Sequence, residues 1–491
     1  MHLMSNVISV EVYTNGGIVS PGELRKIAML AQQFGAGYLQ LGNRQQIRFS
    51  IQEDVIEKFK VRMELIALKY SIGTHETHNI ICSALAKDIL KTKVWLTEGE
   101  YRDILGGFDF QPEIAINIVD PEQYAIPMFT GVLNFVASAV ENYWNIYFSL
   151  PQQGEQGWMP ILIQSDKISS FSLYIQTCLQ SKVTSSLAEL MDELYQLDSW
   201  NFKKVDQYPV IPDYHFFPVE GFHSNGNTHW LGIFNKKNKF SISLIDAICV
   251  EALDSNLGTI YISTWDSLLF KNIASARIPN WENLLGLLDV NTGHAAHELN
   301  WNMNELNHKS SEIKSYVNDY FRINDKRIEG LIIGVNNEAN DNFYSIKIEE
   351  ESLFTLFGKH YFSVYHIRYK EDFNPNNPID KSFMDYIQKK SLPEFISYLT
   401  LEYFTKKKNK PIATTTKEKI VPAILKQKIL LQHVYQCSTC LTLYDPDFGD
   451  PEEGVISGTS YDELPENYCC SICSNPKKGF ILFLFFVKEN A

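Results

Sequence analysis

Five of the chain's eight cysteines crowd into one stretch near the end of its 491 residues: Cys437, Cys440, Cys469, Cys470 and Cys473. Cys437-Ser438-Thr439-Cys440 and Cys470-Ser471-Ile472-Cys473 are two C-x-x-C knuckles. Each presents two thiolates on a tight turn, and two such turns facing one another make a tetrahedral four-sulfur site. Geometry alone admits iron or zinc. Cys469 abuts the second knuckle, but the two-residue spacing selects Cys470 and Cys473, so Cys469 reads as a non-ligand. Cys82, Cys178 and Cys249 sit among apolar neighbours and read as core thiols. His294 and His297 would share a helix face at i and i+3, yet no third ligand accompanies them. They read as surface or capping residues.

The rest of the chain must position this cluster. A hydrophobic fraction of 45% supplies substantial cores, and the length suggests about three domains. With 44 Lys+Arg against 58 Asp+Glu the net charge is −14, which argues against a nucleic-acid partner. No apolar run approaches the ~20 residues a membrane helix needs, and Met1 to Asn6 lacks the features of a signal peptide. A clustered set of thiols in a reducing compartment points to metal rather than disulfides. The expectation is a cytoplasmic protein.

Ser20-Pro21-Gly22-Glu23 is a helix start: Ser20 caps, Pro21 suits the first turn, and Glu23 can close a capping box. Leu24, Ile27, Ala28 and Ala31 follow at helical spacing, and Gly35 ends the run. Tyr38 to Leu41 and Ile47 to Ile51 alternate as strands, Val7 to Val12 reads as a leading strand, and Asp54 to Leu68 as a second helix. The same pattern returns 221 positions on. Leu24, Ile27, Ala28, Ala31 and Gly37 fall on Ile245, Ile248, Cys249, Ala252 and Gly258. Leu39, Leu41 and Arg44 fall on Ile260, Ile262 and Trp265. Such self-similarity marks a duplicated unit, whose halves should pair into one pseudo-symmetric body. Between residues 406 and 428 lie eight lysines and one glutamate, a basic connector; residues 431 to 491 hold nine acids against three lysines.

Gly35 to Gln45, with Gly258 to Trp265, resembles the ferredoxin-like half-domain of sulfite and nitrite reductases, a family in which that half-domain occurs twice, each copy followed by a larger α/β domain. Asn79-Ile80 after Thr77-His78 resembles the family's arginine-asparagine-valine segment, and Ile332 to Asn337 its glycine-cysteine-proline-asparagine segment. The family's cofactor is a sirohaem joined to a four-iron four-sulfur cluster through four cysteines. Here that region has no cysteine, and the last pair falls on Val335 and Ala339, so no such cluster is expected. Arg44 matches one of the cations that grip the macrocycle's carboxylates, a sirohaem-like position. The next falls on His78, and the paired lysines fall near Tyr143-Trp144-Asn145, within a lysine-free stretch from Val94 to Asp166. One retained cation is poor electrostatics for a polyanionic ring, which argues against sirohaem.

Tyr435, Tyr444 to Gly454 and Gly458 to Pro465, between the knuckles, resemble rubredoxin almost position for position, with Tyr468 at the usual tryptophan and Phe480 at the late aromatic. The resemblance implies one iron held by Cys437, Cys440, Cys470 and Cys473. Leu441 and Ser474 stand where rubredoxins usually carry glycine. The expected fold is α+β and α/β: a duplicated reductase-like body with two ferredoxin-like half-domains, plus a small C-terminal rubredoxin-like metal domain. Expected boundaries are 1–72 and 211–290 for the half-domains, 73–210 and 291–405 for the α/β domains, 406–430 for the linker and 431–485 for the rubredoxin-like domain. The implied function is a one-electron carrier with an iron–four-thiolate site, with a flavoprotein reductase or a nitrite/sulfite reductase as redox partner, serving nitrite or sulfite assimilation. The alternative is a sirohaem-dependent nitrite or sulfite reductase with a fused rubredoxin donor. A third reading is a zinc-stabilised interaction module. No catalytic residue is identifiable.

Overall fold

The computed structural model describes residues 7–66, 68–73, 79–90, 92–150, 155–181, 194, 200–294, 296–303, 307–326, 328, 330–336, 343–356, 359–409, 429–440, 442–446 and 448–488. The chain divides into two compact units, Met1–Lys410 and Pro411–Ala491. His78, Asn337, Ala339, Leu441, Asp447 and most of the basic connector lie outside the described residues.

The first unit begins with β1 (Val7–Val12), β2 (Ile18–Val19), α1 (Pro21–Gln33), β3 (Tyr38–Leu41), β4 (Ile47–Gln52), α2 (Ile56–Ile66) and β5 (Tyr70–Ile72). Ser20 Oγ accepts the Glu23 amide at 3.1 Å, and Gly35 leaves the helix at φ +89°, which a side chain would resist. An α/β domain follows: β6 (Ile80–Cys82), α3 (Glu98–Gly106), β7 (Ile116–Val119), β8 (Leu133–Ala137), β9 (Tyr143–Leu150), β10 (Glu155–Gln164), α4 (Ile168–Ser181) and β11 (Lys203–Lys204). The second half-domain holds β12 (Gly221–Asn225), β13 (Thr228–Phe234), β14 (Phe240–Ser241), α5 (Ile242–Asp254), β15 (Ile260–Ile262), β16 (Ser267–Ala274) and α6 (Ile278–Leu287). Helices α1 and α5 both run thirteen residues, in the register expected from the repeat.

The two half-domains interlock. The short strand before each helix crosses to the other copy's sheet: Val19 and Ile18 pair with Ile260 and Tyr261, while Phe240 and Ser241 pair with Leu39 and Tyr38. Helices α1 and α5 pack together, and Arg25 reaches Asp246, its own counterpart in the repeat, across that seam. That exposed ion pair contributes little. The seam is held by Leu24, Ile27, Ala28 and Ala31 with Ile245, Ile248, Cys249 and Ala252, all fully buried in one core shared by both halves. Each large aliphatic side chain there contributes about 1.5–3 kcal/mol of burial.

The last part of the unit contains β17 (Trp301–Met303), α7 (His308–Ile323), β18 (Ile333–Val335), β19 (Ile346–Leu356), β20 (Lys359–Lys370), β21 (Asp380–Ile387) and α8 (Leu392–Asn409). Its sheet repeats the first α/β sheet. The order β6-β7-β8-β9-β10 runs parallel, parallel, antiparallel, antiparallel, and β17-β18-β19-β20-β21 does the same. A helix joins the first two strands in both, and another follows the fifth. The duplication therefore covers the α/β domains as well as the half-domains.

The second unit carries β22 (Ile429–Cys437), β23 (Leu443–Tyr444) and β24 (Phe480–Lys488) in the order β23-β22-β24. So small a unit buries little, and its core is aromatic: Tyr444, Val455, Tyr461, Leu464 and Tyr468, flanked by Tyr435 and Phe480. Tyr435 stacks on Tyr461 with centroids 3.5 Å apart. Buried hydroxyls are satisfied, Tyr444 donating to the Thr459 carbonyl and Tyr468 to Asp450, both at 2.8 Å. Among the described residues no helix is long and apolar enough to cross a membrane.

Candidate metal centre

Strand β22 ends at Cys437, so the first knuckle turns off a strand whose far partner is Phe480. The second knuckle follows Tyr468 and turns back through Asn475. The two turns match: the Cys437 amide donates to the Thr442 carbonyl and the Cys470 amide to the Asn475 carbonyl, each at 2.8 Å and each five residues on. The four sulfur atoms all lie within 4.8 Å of one another, with 3.5 Å between Cys437 and Cys473 and 3.4 Å between Cys440 and Cys470. Metal–sulfur bonds of about 2.3 Å set a tetrahedral edge near ~3.8 Å, so the cage has the size of a single four-coordinate ion. Cys437 and Cys470 are buried; Cys440 and Cys473 are partly exposed, beside the exposed Ile472.

Backbone amides point at the sulfurs. Cys437 receives those of Cys440 and Thr439, Cys440 that of Thr442, Cys470 those of Ile472 and Cys473, and Cys473 that of Asn475. Two side chains add to them. The Thr442 hydroxyl lies 3.1 Å from Cys440 Sγ, and Asn475 Nδ2 donates to Cys437 Sγ at 3.4 Å. Burial pushes the Cys437 thiol up, but these donors outweigh it and hold it near about 6. The Thr442 hydroxyl draws Cys440 down, while burial raises Cys470 and takes Cys473 to about 12. Cys469 turns away, its sulfur 3.6 Å from the Asn467 carbonyl. Thr442 and Asn475 escaped the sequence reading; their matching places two residues after each knuckle's second cysteine were the available signal. Ser474 adopts φ +58°, the left-handed conformation glycine would take without strain.

The body's candidates take other roles. Arg44 is buried, and its guanidinium faces protein: Nε and Nη2 donate to the Asn79 carbonyl at 3.0 and 2.8 Å, and Nη2 to the Ile116 carbonyl at 2.9 Å and Asn117 Oδ1 at 3.0 Å. Asn79 returns a bond to the Arg44 carbonyl at 2.8 Å. Its repeat counterpart Trp265 is also buried, with Nε1 on the Ala125 carbonyl at 3.2 Å and its ring against Phe216 and Phe343. Trp144 and Asn145, near the expected lysine pair, are core residues. The cavity lined by Thr130, Phe343, Lys370 and Asn376 holds about 210 Å³, below the ~300–1,000 Å³ of ordinary ligand pockets. At these positions Arg44, Trp265, Trp144 and Asn145 are thus engaged within the protein. His294, expected at the surface or as a cap, is half-buried and paired, its Nδ1 2.7 Å from Glu220 Oε2 and its ring edge-on to Phe234. Glu220 precedes it by 74 residues and gives it a partner only in the folded chain. The side chain of His297 lies outside the described residues. Cys82 and Cys249 are core thiols, raised to about 12 by burial.

Comparison with known proteins matches this geometry. The rubredoxin family profile matches residues 434–480, and the nitrite/sulfite reductase ferredoxin-like half domain matches residues 5–64. The chain is 40% identical over 76 residues to the high molecular weight rubredoxin of Moorella thermoacetica, covering 16% of this chain and 31% of that protein. It thus spans about a third of the length of that relative. Over 46 residues it is 37% identical to Rubredoxin-2 of Chlorobaculum tepidum, 9% of this chain but 88% of that protein. Among solved structures, the Mycobacterium tuberculosis NirA protein shares the fold at a TM-score of 0.57 and 10% identity, covering 83% of this chain and 82% of that one. The chain belongs to the rubredoxin family through its C-terminal domain, fused to a body with the nitrite/sulfite reductase fold.

Proposed function

We propose that the protein is a one-electron carrier whose rubredoxin domain holds a single iron through Cys437, Cys440, Cys470 and Cys473. The convergence of these four sulfurs within 4.8 Å of one another carries the reading. Iron bound there supplies a one-electron couple. Four thiolates complete a tetrahedron and leave no position for a substrate, so the chain's part is outer-sphere transfer. The aromatic core seals Cys437 and Cys470 from water, while partly exposed Cys440 and Cys473 offer the short route to a partner. Acidic residues such as Asp445, Asp450 and Asp462 suit a positively charged partner, by complementarity that speeds encounter more than it adds affinity. A flavoprotein reductase, or a nitrite or sulfite reductase, fits that description.

The body is a scaffold in this reading, with Arg44 and Trp265 serving its packing. A rubredoxin module within a longer chain also occurs in the anaerobic nitric oxide reductase flavorubredoxin of Salmonella paratyphi A, 44% identical over 45 residues that make up 9% of that protein. The body's fold supports a place in nitrite or sulfite assimilation, and the reading takes the cytoplasm as its setting. The test is turnover. The reduced full-length protein, mixed with nitrite or sulfite, should stay reduced; sustained ammonia or sulfide production with an artificial donor would replace this reading with that of a reductase carrying its own donor.

A further inference from the structure

Asn475 and Thr442 hold equivalent places in the two knuckles, yet their side chains act on the same one. Each residue's own amide serves the nearer second cysteine, Cys473 for Asn475 and Cys440 for Thr442. The Thr442 hydroxyl adds a second donor to Cys440 at 3.1 Å. Asn475 Nδ2 crosses to Cys437 at 3.4 Å, and also reaches Ser438 Oγ at 3.3 Å and the Gly479 carbonyl at 3.1 Å. The crossing is built in. Asn475 is fixed through its main chain by the Cys470 amide, and a Cβ at Gly479 would fall 2.2 Å from Nδ2. Only glycine leaves room for this amide.

Both bonds bear on charge. With four thiolates, a ferric site carries one net negative charge and a ferrous site two. The added electron lies partly on sulfur, so a donor aimed at sulfur stabilises the reduced state more than the oxidised one. Metal-bound sulfur has no proton to give, so the Thr442 hydroxyl must be the donor.

We propose that Thr442 and Asn475 raise the reduction potential of the centre through side-chain hydrogen bonds to Cys440 and Cys437. The step is a reversible one-electron reduction, with the electron supplied by the redox partner and no bond broken. The inference rests on the iron reading above, and the experiment separates the two. Full-length wild type, Thr442→Val, Thr442→Ser, Asn475→Leu and Asn475→Asp are assayed for metal and titrated against a potential mediator. Val and Leu keep the shapes and remove the donors; Ser restores the hydroxyl; Asp keeps the size and replaces the donor with a negative charge. At a fixed potential, Thr442→Val and Asn475→Leu should each shift the reduced-to-oxidised ratio toward oxidised by about three- to tenfold, where tenfold is 59 mV for one electron. Thr442→Ser should stay near wild type, and Asn475→Asp should shift at least as far as Asn475→Leu. Should Asn475→Leu lose iron, the Asp variant decides the same point. Iron-loaded Thr442→Val and Asn475 variants within twofold of wild type would overturn the inference and leave the carrier standing. A colourless wild type without iron would overturn both.

Discussion

Replacing Arg44 with alanine should destabilise the body by about 3–5 kcal/mol, because the guanidinium is a buried rivet between the first half-domain and the first α/β sheet. Its closest bonds run to the Asn79 and Ile116 carbonyls and to Asn117 Oδ1, at 2.8 to 3.0 Å, and all three residues are buried. Truncation strands those acceptors without water, and each unsatisfied buried group costs about 1–3 kcal/mol. Arg44→Lys keeps the charge but loses the planar fork, and should recover about half of the loss. All eight tryptophans precede residue 302, so urea unfolding followed by tryptophan fluorescence reports the body without the rubredoxin domain. A loss below about 0.5 kcal/mol for Arg44→Ala would refute the reasoning, since that is the cost expected of a solvated surface arginine. Arg44 would then be open to an anionic ligand after all.

Cys437→Ala or Cys470→Ala should abolish a dithionite-bleachable visible band that Cys469→Ala retains; equal spectra for all three variants would contradict the ligand set. Ser474→Gly should stabilise the metal-loaded rubredoxin domain by about 1 kcal/mol, by relieving a side chain at φ +58°, and a lower thermal midpoint of the chromophore would count against that strain. Glu98 receives bonds from Arg102 and Tyr261 at 2.8 Å, and although burial pushes its carboxyl up, these donors with Lys271 hold it below the usual range. A depressed pKa contributes stability that is present above the unfolded value, ~4.5, and lost as pH falls through the folded one. Glu98→Gln should therefore weaken the body at neutral pH, with a gap to wild type that closes under acid; a gap that widens on acidification would show the sign to be wrong.

The convergence of Cys437, Cys440, Cys470 and Cys473 was legible because two-residue spacing is a local rule, and so was the repeat of the half-domains, where Leu24, Ile27, Ala28 and Ala31 recur at helical period. The repeat of the α/β sheets was implied by the family resemblance alone and left no trace in residue pattern. Strands such as Ile116–Val119 and Ile333–Val335 are only four and three residues long and buried along their whole length, so no alternation of exposed and buried positions sets a register. The exchanged strands Ile18–Val19 and Phe240–Ser241 are two residues long, too short for any pattern, and are chosen by the sheet edge they complete. Arg44 could be matched to a family position from its place after a strand, but its direction depends on Asn79, Ile116 and Asn117, which meet it only in the folded chain. The donors of Thr442 and Asn475 are of the same kind, since a hydrogen bond to sulfur leaves no periodic trace.

The proposed carrier holds one redox-active iron in its rubredoxin domain and needs no macrocycle in its body. Absorption spectroscopy of the purified full-length protein, with metal and acid-labile sulfide analysis on the same sample and a dithionite titration, tests it most directly. One iron per chain, ferric–thiolate bands bleached by one electron, no stoichiometric sulfide and no haem-like bands are expected. Zinc in a colourless protein, or a macrocycle spectrum that survives removal of the residues after 410, would contradict it.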